Sequence, residues 1–359
     1  MEIWIKLWRI VTNSRLFWPL AALAVVLLFN FFYTKDFFVV EIKDGHFYGV
    51  LIDIVNRAAP LMLLAIGMTL VVATKGIDIS VGSVIAISGA VAASLIGGNL
   101  EYVDGTQKLV TLVPMPVAIV AALAVTTLLG MWNGLLVARV GIQPIVATLI
   151  LLVAGRGIAQ LITQGQIITI YYTPFKFIGA GYLAGVPFTL FIVLLVFAVI
   201  LYLLNKTALG LFIEAIGINS VASRFSGIHV SKYIFLAYAF SGFCAGVAGL
   251  IICSNVSSAD GNNAGLFMEL DAILAVALGG NSLDGGKFSL LGSVIGALVI
   301  QSITTSIYAT GVPPEITLVV KAIVVICICL MQSTSFRTII FARWGQKRGS
   351  VSESTTVKL

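Results

Sequence analysis

The stretch VVATKGIDISVGSVIAISGAVAA (residues 71–93) joins two apolar segments through a short polar turn. The first apolar segment ends at Lys75, and the second begins directly after Asp78 and Ser80. Both segments are apolar enough to lie in lipid, so the stretch predicts a hairpin of two membrane helices. The polar turn between them has three interpretations: a simple loop, an ion or ligand site, or a recognition element.

The composition of the whole chain agrees with a location in the membrane. Of its 359 residues, 59% are hydrophobic and 10% are charged, and the mean hydropathy is +1.09. A soluble domain carries about 25% charged residues, so this chain is predicted to be an integral membrane protein. Long runs such as PFTLFIVLLVFAVILYLL (187–204) favour helices over the short alternating strands of a membrane barrel. The predicted fold is therefore an all-α, polytopic helical bundle.

Ten apolar runs are interpreted as transmembrane helices. The eighth run is short and ends near two glycines, so it is expected to be a broken or partial helix. The first run has no small-residue cleavage site at its end, so it is expected to be a retained span. The runs lie at 16–34, 48–74, 79–97, 114–138, 143–163, 187–205, 233–252, 268–282, 288–308 and 315–333.

Positively charged residues concentrate in the segments on one side of these spans. With the N-terminus in the cytoplasm, most Lys and Arg residues fall in cytoplasmic segments. The longer and more polar loops then lie outside, at 35–47, 98–113, 164–186 and 253–267. The positive-inside rule therefore places both termini in the cytoplasm. This orientation explains the net charge of +6, and no nucleic-acid partner is expected.

An internal similarity links the opening stretch to a second one. LAIGMTLVVATKGIDISVGSVI (64–85) and LAVALGGNSLDGGKFSLLGSVI (274–295) have equal length, begin with LA and end with GSVI. Chance similarity between two apolar, glycine-rich stretches is the alternative to a duplication. A duplication predicts two parallel repeats with the transport pathway between them. The predicted organisation is an N-terminal cytoplasmic tail, first span and outer loop (1–47), a first repeat (48–205), a cytoplasmic loop (206–232), a second repeat (233–333) and a basic cytoplasmic tail (334–359).

Polar and small residues within or beside the spans are the candidates for the pathway. Arg156 is costly in lipid and has either a pathway role or a structural one. Glycines permit close approach of helix backbones, and ordinary packing is the alternative to a role in motion. The hairpin and pathway candidates are Gly76, Asp78, Ser80, Gly82, Asn133, Arg156, Gly279, Gly280 and Gly292.

Motifs of other transporter classes and of enzymes are absent from the sequence. The spans carry no relay of Asp, Glu and His for proton-driven transport, and no GxxxxGK[ST] nucleotide loop occurs. Cys244, Cys253, Cys327 and Cys329 lie in or beside apolar spans, at spacings that suit neither a disulfide nor a zinc site. No catalytic residue, metal or cofactor is therefore expected in this chain.

The largest cytoplasmic loop, 206–232, contains a short predicted helix. Residues 220–225 can form this helix, and Gly217 and Gly227 bracket it as breakers. One interpretation is an interfacial helix lying on the lipid. The other is an element docked into a cytoplasmic partner. A lipid-surface helix would carry more basic residues than the single Arg224, which favours docking.

Three segments are together characteristic of one family of transport proteins. They are GIDISVGSVIAISGAVAA (76–93), AIGINSVASRFSGI (215–228) and ALGGNSLDGGKFSLLGSVIGAL (277–298). In these segments the chain resembles the membrane permease subunit of sugar-importing ABC transporters of the ribose and galactofuranose type, in the branched-chain-type permease superfamily. The resemblance covers residues 48–332, which include nearly all of the spans.

The resemblance implies a function and a set of partners. It implies import of a pentose or hexose, with galactofuranose as one candidate, by alternating access across the bacterial inner membrane. A cytoplasmic ATPase with two nucleotide-binding halves would bind ATP and Mg²⁺, and a periplasmic sugar-binding protein would deliver the substrate. A second permease chain, identical or related, would pair with this one. The residues implied in coupling to the ATPase are Ala215, Gly217, Asn219, Ala222, Arg224, Ser226 and Gly227.

Other functions compete with this interpretation. They are a secondary transporter acting alone, a structural membrane subunit, and the same machinery with another small solute such as a nucleoside. In the opening stretch, Asp78 and Ser80 are expected to cap the third span at its positive end. A direct contact between Asp78 and the sugar is the alternative.

Overall fold

A computed structural model of the chain describes residues 16–33, 37–43, 45–103, 106–311 and 313–332. The predicted basic tail and most of the N-terminal tail lie outside the described residues. A π-helical turn, Leu136–Val140, extends the fourth helix. The helices are α1 (Phe17–Tyr33), α2 (Val50–Ala73), α3 (Val81–Ile96), α4 (Met115–Leu135), α5 (Pro144–Ile162), α6 (Thr173–Ala180), α7 (Phe188–Lys206), α8 (Leu209–Ile218), α9 (Ser220–Phe225), α10 (Val230–Val256), α11 (Met268–Leu278), α12 (Leu290–Ala309) and α13 (Pro314–Gln332).

Each predicted span coincides with a helix, which confirms the prediction of a polytopic helical membrane protein. Within the described residues, six helices are long and apolar enough to cross a membrane, namely α2, α4 with its π-helical extension, α5, α7, α10 and α12. Shorter apolar helices lie in α1, α3, α8 and α13. Helix α11 has 11 residues, which is about 16 Å at 1.5 Å per residue. It is therefore too short to cross a hydrocarbon core of about 30 Å, as expected for a partial helix.

The chain divides into two compact units, Met1–Ser302 and Ile303–Leu359. The described part of the second unit contains the end of α12 and the whole of α13. All of the candidate site residues fall in the first unit. The predicted division into two repeats stays a prediction.

Helices α2, α3 and α10 form the buried centre of the first unit, and small residues bring their backbones together. A Cβ atom at Gly249 of α10 would lie 2.6 Å from the carbonyl oxygen of Ile85 in α3. A Cβ atom at Gly130 of α4 would lie 3.0 Å from the Cα atom of Gly242 in α10. Side chains larger than hydrogen at these positions would separate the helices. The outer helices instead expose apolar side chains, as expected for a surface in lipid: Leu128, Val153, Leu195.

Short antiparallel strand pairs occupy one side of the first unit, called here the strand side. Strand β1 (Glu41–Lys43) pairs with β2 (His46–Tyr48), and β3 (Gly97–Val103) pairs with β4 (Thr106–Thr111). Strand β5 (Ile168–Thr169) pairs with β8 (Ser258–Ala259), and β6 (Tyr182–Leu183) pairs with β7 (Val186–Pro187). They lie in or beside the predicted outer loops, where no strands were predicted. Most are too short to carry a recognisable alternating pattern.

Three segments pack together on the opposite side of the unit, called here the turn side. They are residues 74–80 between α2 and α3, residues 207–229 with α8 and α9, and residues 279–289 between α11 and α12. The Gly286 amide donates a hydrogen bond to the Ala73 carbonyl oxygen at 3.0 Å. Lys75 Nζ donates one to the Ile218 carbonyl oxygen at 3.3 Å. The two similar stretches of the sequence therefore meet on this side, together with the predicted docking loop.

Candidate functional site

Asp78 is the centre of a buried hydrogen-bond network on the turn side. One carboxylate oxygen accepts from the Ser80 amide at 3.1 Å and the Ser80 hydroxyl at 2.6 Å. The other accepts from the Ser241 hydroxyl of α10 at 2.8 Å. Asn133 of α4 donates to the Ser80 hydroxyl at 2.9 Å. The network thus ties the turn before α3 to two other helices.

This geometry corrects the expectation that Asp78 and Ser80 cap α3. Ser80 occupies the N-cap position, but its side chain makes no capping hydrogen bond to α3, because its oxygen accepts from Asn133 and its proton goes to Asp78. Asp78 is 1% exposed, so it does not face solvent on the turn side. Burial raises the pKa of the Asp78 carboxyl in this turn, and the hydrogen bonds from Ser80 and Ser241 oppose that rise.

The predicted glycines mark close contacts on the same side. A Cβ atom at Gly76 would lie 2.6 Å from the Tyr238 hydroxyl of α10. One at Gly279 would lie 2.5 Å from the Gly292 carbonyl carbon, so α11 and α12 cross backbone to backbone. Gly280 has φ 79°, a conformation that glycine adopts without strain, and it turns the chain away from α11.

Residues 257–267, called here the re-entrant segment, turn back between the helices. The prediction placed an outer loop at 253–267, but α10 continues to Val256, and the buried Gly261 and Gly265 that follow contact α5 and α3. A Cβ atom at Gly265 would lie 2.7 Å from the Gly82 carbonyl oxygen, near the start of α3. Gly82 lies about one turn before Ile85, which contacts Gly249 in the second half of α10, so this contact is deep in the bundle. Non-helical backbone at such a depth is stable only against protein or a water-filled cavity.

Arg156 of α5 holds the re-entrant segment through its backbone. The guanidinium donates to the Ala264 carbonyl oxygen at 2.6 Å and to the Asn262 carbonyl oxygen at 3.2 Å. One turn further along α5, the Gln160 side chain donates to the Asn262 side chain. Of the two roles weighed for Arg156, the structure therefore supports the structural one directly. A pathway role is compatible with it, since Arg156 is half-buried and borders the exposed Gln160.

Glu269, at the start of α11, is a buried carboxylate beside this contact. Its Oε2 atom has no hydrogen-bond partner within the described residues, and it faces the backbone of Gly82. An unsatisfied buried acceptor costs free energy, so this oxygen is available to a donor such as a hydroxyl group or water. The sequence placed Glu269 at an outer helix end and gave no signal that it faces Gly82.

A cleft of about 500 Å³ opens next to the re-entrant segment. A cleft of this volume lies within the usual range for small-molecule sites. Its polar lining includes Arg57, Asn255, Ser258, Asp260 and Asn263. Of the predicted pathway residues, Gly82 and Arg156 lie near this cleft, whereas Asp78, Ser80 and Asn133 belong to the separate network.

The short helix predicted at residues 220–225 is present as α9, and together with α8 it is called here the docking element. The Asn219 side chain caps α9 by accepting from the amides of Val221 and Ala222, both at 3.0 Å. Gly227 follows with φ 83° and ends the element. Gly217 is buried against the Ala73 carbonyl oxygen and Gly286, so it fixes α8 to both glycine-rich turns. Gly217 therefore positions the element rather than facing outwards.

The outward face of this element carries three large apolar side chains. Phe225 is 89% exposed, Ile218 63% and Val221 62%, whereas Ser223 is buried and anchors α9. Among the predicted coupling residues, Ala215 is half-buried, and the exposed ones are Asn219, Ala222, Arg224, Ser226 and Gly227. The prediction omitted the three large apolar residues, although their presence in a loop rich in small and polar residues was a usable signal.

The described residues contain no cluster of three or more His, Cys, Asp or Glu side chains that could hold a metal ion. Cys244 and Cys253 are buried in α10, where they contact Gly67 and Gly89 across helix interfaces. The structure therefore gives these two cysteines a packing role.

Comparison with known proteins gives consistent matches along the chain. The chain is 48% identical to the galactofuranose transporter permease protein YtfT of Escherichia coli, over 91% of this chain and 94% of that one. It is 37% identical to the fructose import permease protein FruF of Bifidobacterium longum, over 96% and 95% of the two chains. It is also 37% identical to the ribose import permease protein RbsC of Escherichia coli, over 79% and 85%. No solved structure matches the chain at a significant level.

Residues 50–329 match the family described as "Branched-chain amino acid transport system / permease component". The match begins at the first residue of α2 and includes the re-entrant segment, the docking element and both glycine-rich turns. These sites therefore lie within the region that matches the family. The chain belongs to this family of membrane permeases.

Proposed function

We propose that this chain is the permease subunit of an ATP-driven importer that moves a sugar into the cytoplasm. The exposed apolar face of α9, fixed to both glycine-rich turns, is the observation that carries the proposal. Phe225 is 89% exposed at the end of a short, capped helix. Such a side chain on a rigid element suits a pocket on a partner protein.

The partner proposed for this face is a cytoplasmic ATPase with two nucleotide-binding halves. ATP and Mg²⁺ would bind there, since this sequence has no nucleotide loop of its own. Movement of α9 would pass to α2 through the contact of Gly217 with Ala73, and to the turn before α12 through Gly286. The pathway between this chain and a second permease chain would then change its open side.

The proposed cargo is a pentose or hexose. Its relatives named above transport galactofuranose, fructose and ribose, and galactofuranose is the first to test because that relative has the highest identity of the three. The cleft beside the re-entrant segment offers amide and carboxylate groups that suit hydroxyl groups. A periplasmic sugar-binding protein would deliver the substrate to the strand side.

The proposed location is the bacterial inner membrane with both termini in the cytoplasm. Lys75, Lys206, Arg224, Lys232 and Lys287 lie on or next to the turn side, which therefore faces the cytoplasm under the positive-inside rule. This orientation brings α9 to the side where ATP is available.

Reconstitution into proteoliposomes tests the proposal. With the ATPase and binding protein present, labelled galactofuranose is expected to accumulate only with ATP, and fructose and ribose serve as competing substrates. Sugar accumulation by this chain alone would instead identify a secondary transporter and refute the proposal.

A matched pair of variants tests the docking face. Phe225→Ala is expected to weaken ATPase binding by about 30-fold or more, since truncated aromatic hot spots cost at least about 2 kcal/mol. Leu195→Ala, which alters an exposed side chain on α7, is the control and should leave ATPase binding unchanged. Equal ATPase binding by the two variants would contradict the assignment of this face.

A further inference from the structure

A further cavity lies on the turn side, and the proposed transport mechanism uses only its border with the docking element, at Arg224 and Gly227. It has a volume of about 820 Å³ and lies between the π-helical end of α4, the residues after α9 and the first turns of α10. We call it the basic cleft. Its lining residues are Arg139, Arg224, Gly227, Ile228, His229, Val230, Ser231, Lys232, Phe235 and Leu236.

The charge of the basic cleft has one sign. Arg139, Arg224 and Lys232 line it, and no Asp or Glu is among its lining residues. None of these three cations forms an ion pair within the described part of the chain. Three like charges around one cavity repel each other, so an anion bound there would relieve the repulsion.

The start of α10 adds to this positive field. The helix has 27 residues, and its N-cap residue, His229, makes no side-chain capping hydrogen bond. The Val230 and Lys232 amides donate to the Ile228 and His229 carbonyl oxygens, so it is the positive end of the helix dipole that adds to the field in the cleft. Helix N-termini of this kind stabilise phosphate groups.

The remaining walls of the basic cleft are apolar. Phe235 and Leu236 continue from the charged rim along α10, and Leu236 is 40% exposed. Val140, next to Arg139, is 60% exposed. A free phosphate ion would leave these apolar walls uncovered, whereas the acyl chains of a lipid would cover them.

The position of the basic cleft also suits a lipid. Helix α10 is about 40 Å long at 1.5 Å per residue, which exceeds a hydrocarbon core of about 30 Å. Its first turns can therefore reach the headgroup region while Leu236 borders the acyl chains. Basic pockets between membrane helices on the cytoplasmic side are suited to anionic lipid headgroups.

We propose that the basic cleft binds the phosphate headgroup of an anionic phospholipid from the cytoplasmic leaflet. The lipid would join the end of α4 to the start of α10, directly behind α9. The proposal rests on the cytoplasmic orientation of the turn side given under the proposed function.

Native mass spectrometry of the full-length chain with phosphatidylglycerol tests this site. The variant Arg139→Gln/Lys232→Gln is expected to lose about 30-fold in affinity for this lipid, from about fivefold per cation removed at a membrane surface. Arg224 is left intact because it belongs to the proposed docking element. The control Lys206→Gln/Lys287→Gln removes the same charge from exposed residues that do not line the cleft.

Parallel measurements separate the possible occupants. Equal affinity for phosphatidylglycerol in the two double variants would overturn the proposal, as would equal binding of phosphatidylcholine by the unmodified chain. Displacement of the lipid by millimolar inorganic phosphate would show a site for a free anion and would also overturn it. So would a cleft variant that loses ATPase binding but retains its affinity for phosphatidylglycerol, since the cleft would then receive an acidic protein surface.

Unchanged thermal stability in phosphatidylcholine would establish that the cleft variant is folded. If that variant is unstable, the single variants Arg139→Gln and Lys232→Gln, each with an expected fivefold loss, provide the measurement instead. Lipid binding is measured on the isolated chain without sugar or ATP. A failed lipid site and a failed transport function would therefore be distinguishable.

Discussion

Replacing Asp78 by Ala or by Asn separates a structural carboxylate from one that binds a substrate or ion. The side chain accepts three hydrogen bonds, from the Ser80 amide, the Ser80 hydroxyl and the Ser241 hydroxyl. Asp78→Ala removes the acceptor for all three donors in a position that is 1% exposed. Asp78→Asn has nearly the same shape and keeps an acceptor for Ser80, while its amide group can donate to the Ser241 hydroxyl.

The magnitude of each effect follows from which donors can find new partners. The Asn133 amide group can flip so that its Oδ1 atom, which has no hydrogen-bond partner within the described residues, accepts from the Ser80 hydroxyl. The Ser241 hydroxyl can turn to a backbone carbonyl of its own helix. The Ser80 amide cannot rotate, and a buried donor left unsatisfied costs about 1–3 kcal/mol. With the loss of packing, Asp78→Ala is expected to cost about 2–5 kcal/mol, and Asp78→Asn about 1 kcal/mol or less.

Thermal unfolding of the purified variants and sugar uptake in proteoliposomes together test this reasoning. Asp78→Ala should unfold at a clearly lower temperature than the unmodified chain, whereas Asp78→Asn should stay close to it and retain uptake. Ser257→Ala, which alters a hydroxyl far from the network, is a control for loss of a side-chain oxygen.

Two results would refute the structural role of Asp78. One is Asp78→Ala with unchanged thermal stability, since it would mean that the three hydrogen bonds contribute little. The other is Asp78→Asn that is stable but inactive in uptake. In that case the charge itself would be needed for transport, as for a substrate or ion ligand.

Three further predictions concern glycine contacts and the re-entrant segment. Gly279→Ala should cost about 1–3 kcal/mol in thermal stability by overpacking the crossing of α11 and α12, whereas Gly157→Ala, with no atom within 4 Å of the added Cβ, should not. Gly217→Ala should leave the chain inserted in the membrane, but the added methyl group would push α8 away from Ala73. Stimulation of the ATPase by sugar-loaded binding protein, measured as phosphate release, should therefore fall. Arg156→Gln should reduce sugar uptake at least tenfold, because a hydrogen bond to a charged group contributes about 1.5–3 kcal/mol and here holds the re-entrant segment.

Each of these predictions has an outcome that contradicts it. Equal melting temperatures for Gly279→Ala and Gly157→Ala would mean that the helix crossing adapts without cost. Full ATPase stimulation in Gly217→Ala would remove the proposed link between α8 and the bundle. Unchanged uptake in Arg156→Gln, at a normal level of inserted protein, would show that the re-entrant segment holds its position without this side chain.

Much of the candidate site was accessible from local sequence patterns. The hydropathy runs predicted helices at the observed positions, and the bracketing glycines predicted the short helix that the structure places at Ser220–Phe225. The polar turn at Asp78 was recognised as unusual, but its role was assigned to helix capping. Capping is a local interaction, whereas the observed partner Ser241 is 163 residues away along the chain. A local sequence pattern carries no information about a partner so far away along the chain.

The position of the re-entrant segment could not be predicted from the sequence for the same reason. Residues 257–267 are polar and glycine-containing, which is the composition of an exposed loop. Whether such a segment projects into water or turns back into the bundle depends on partners that accept its backbone groups, here Arg156 and the surface of α3. The orphaned Glu269 oxygen and the basic cleft likewise depend on which helices become neighbours.

The sequence by itself determined that the chain is a multi-spanning helical membrane protein, where its long apolar helices lie along the chain, and to which family it belongs. These properties follow from apolar length, helix-breaking residues and local motifs, which act over a few residues. Only the tertiary structure decided that Asp78 is buried, that Gly217 faces inwards, and that three cations surround one cleft. These properties depend on contacts between helices far apart in the chain, since burial and charge proximity are set by packing rather than by order along the sequence.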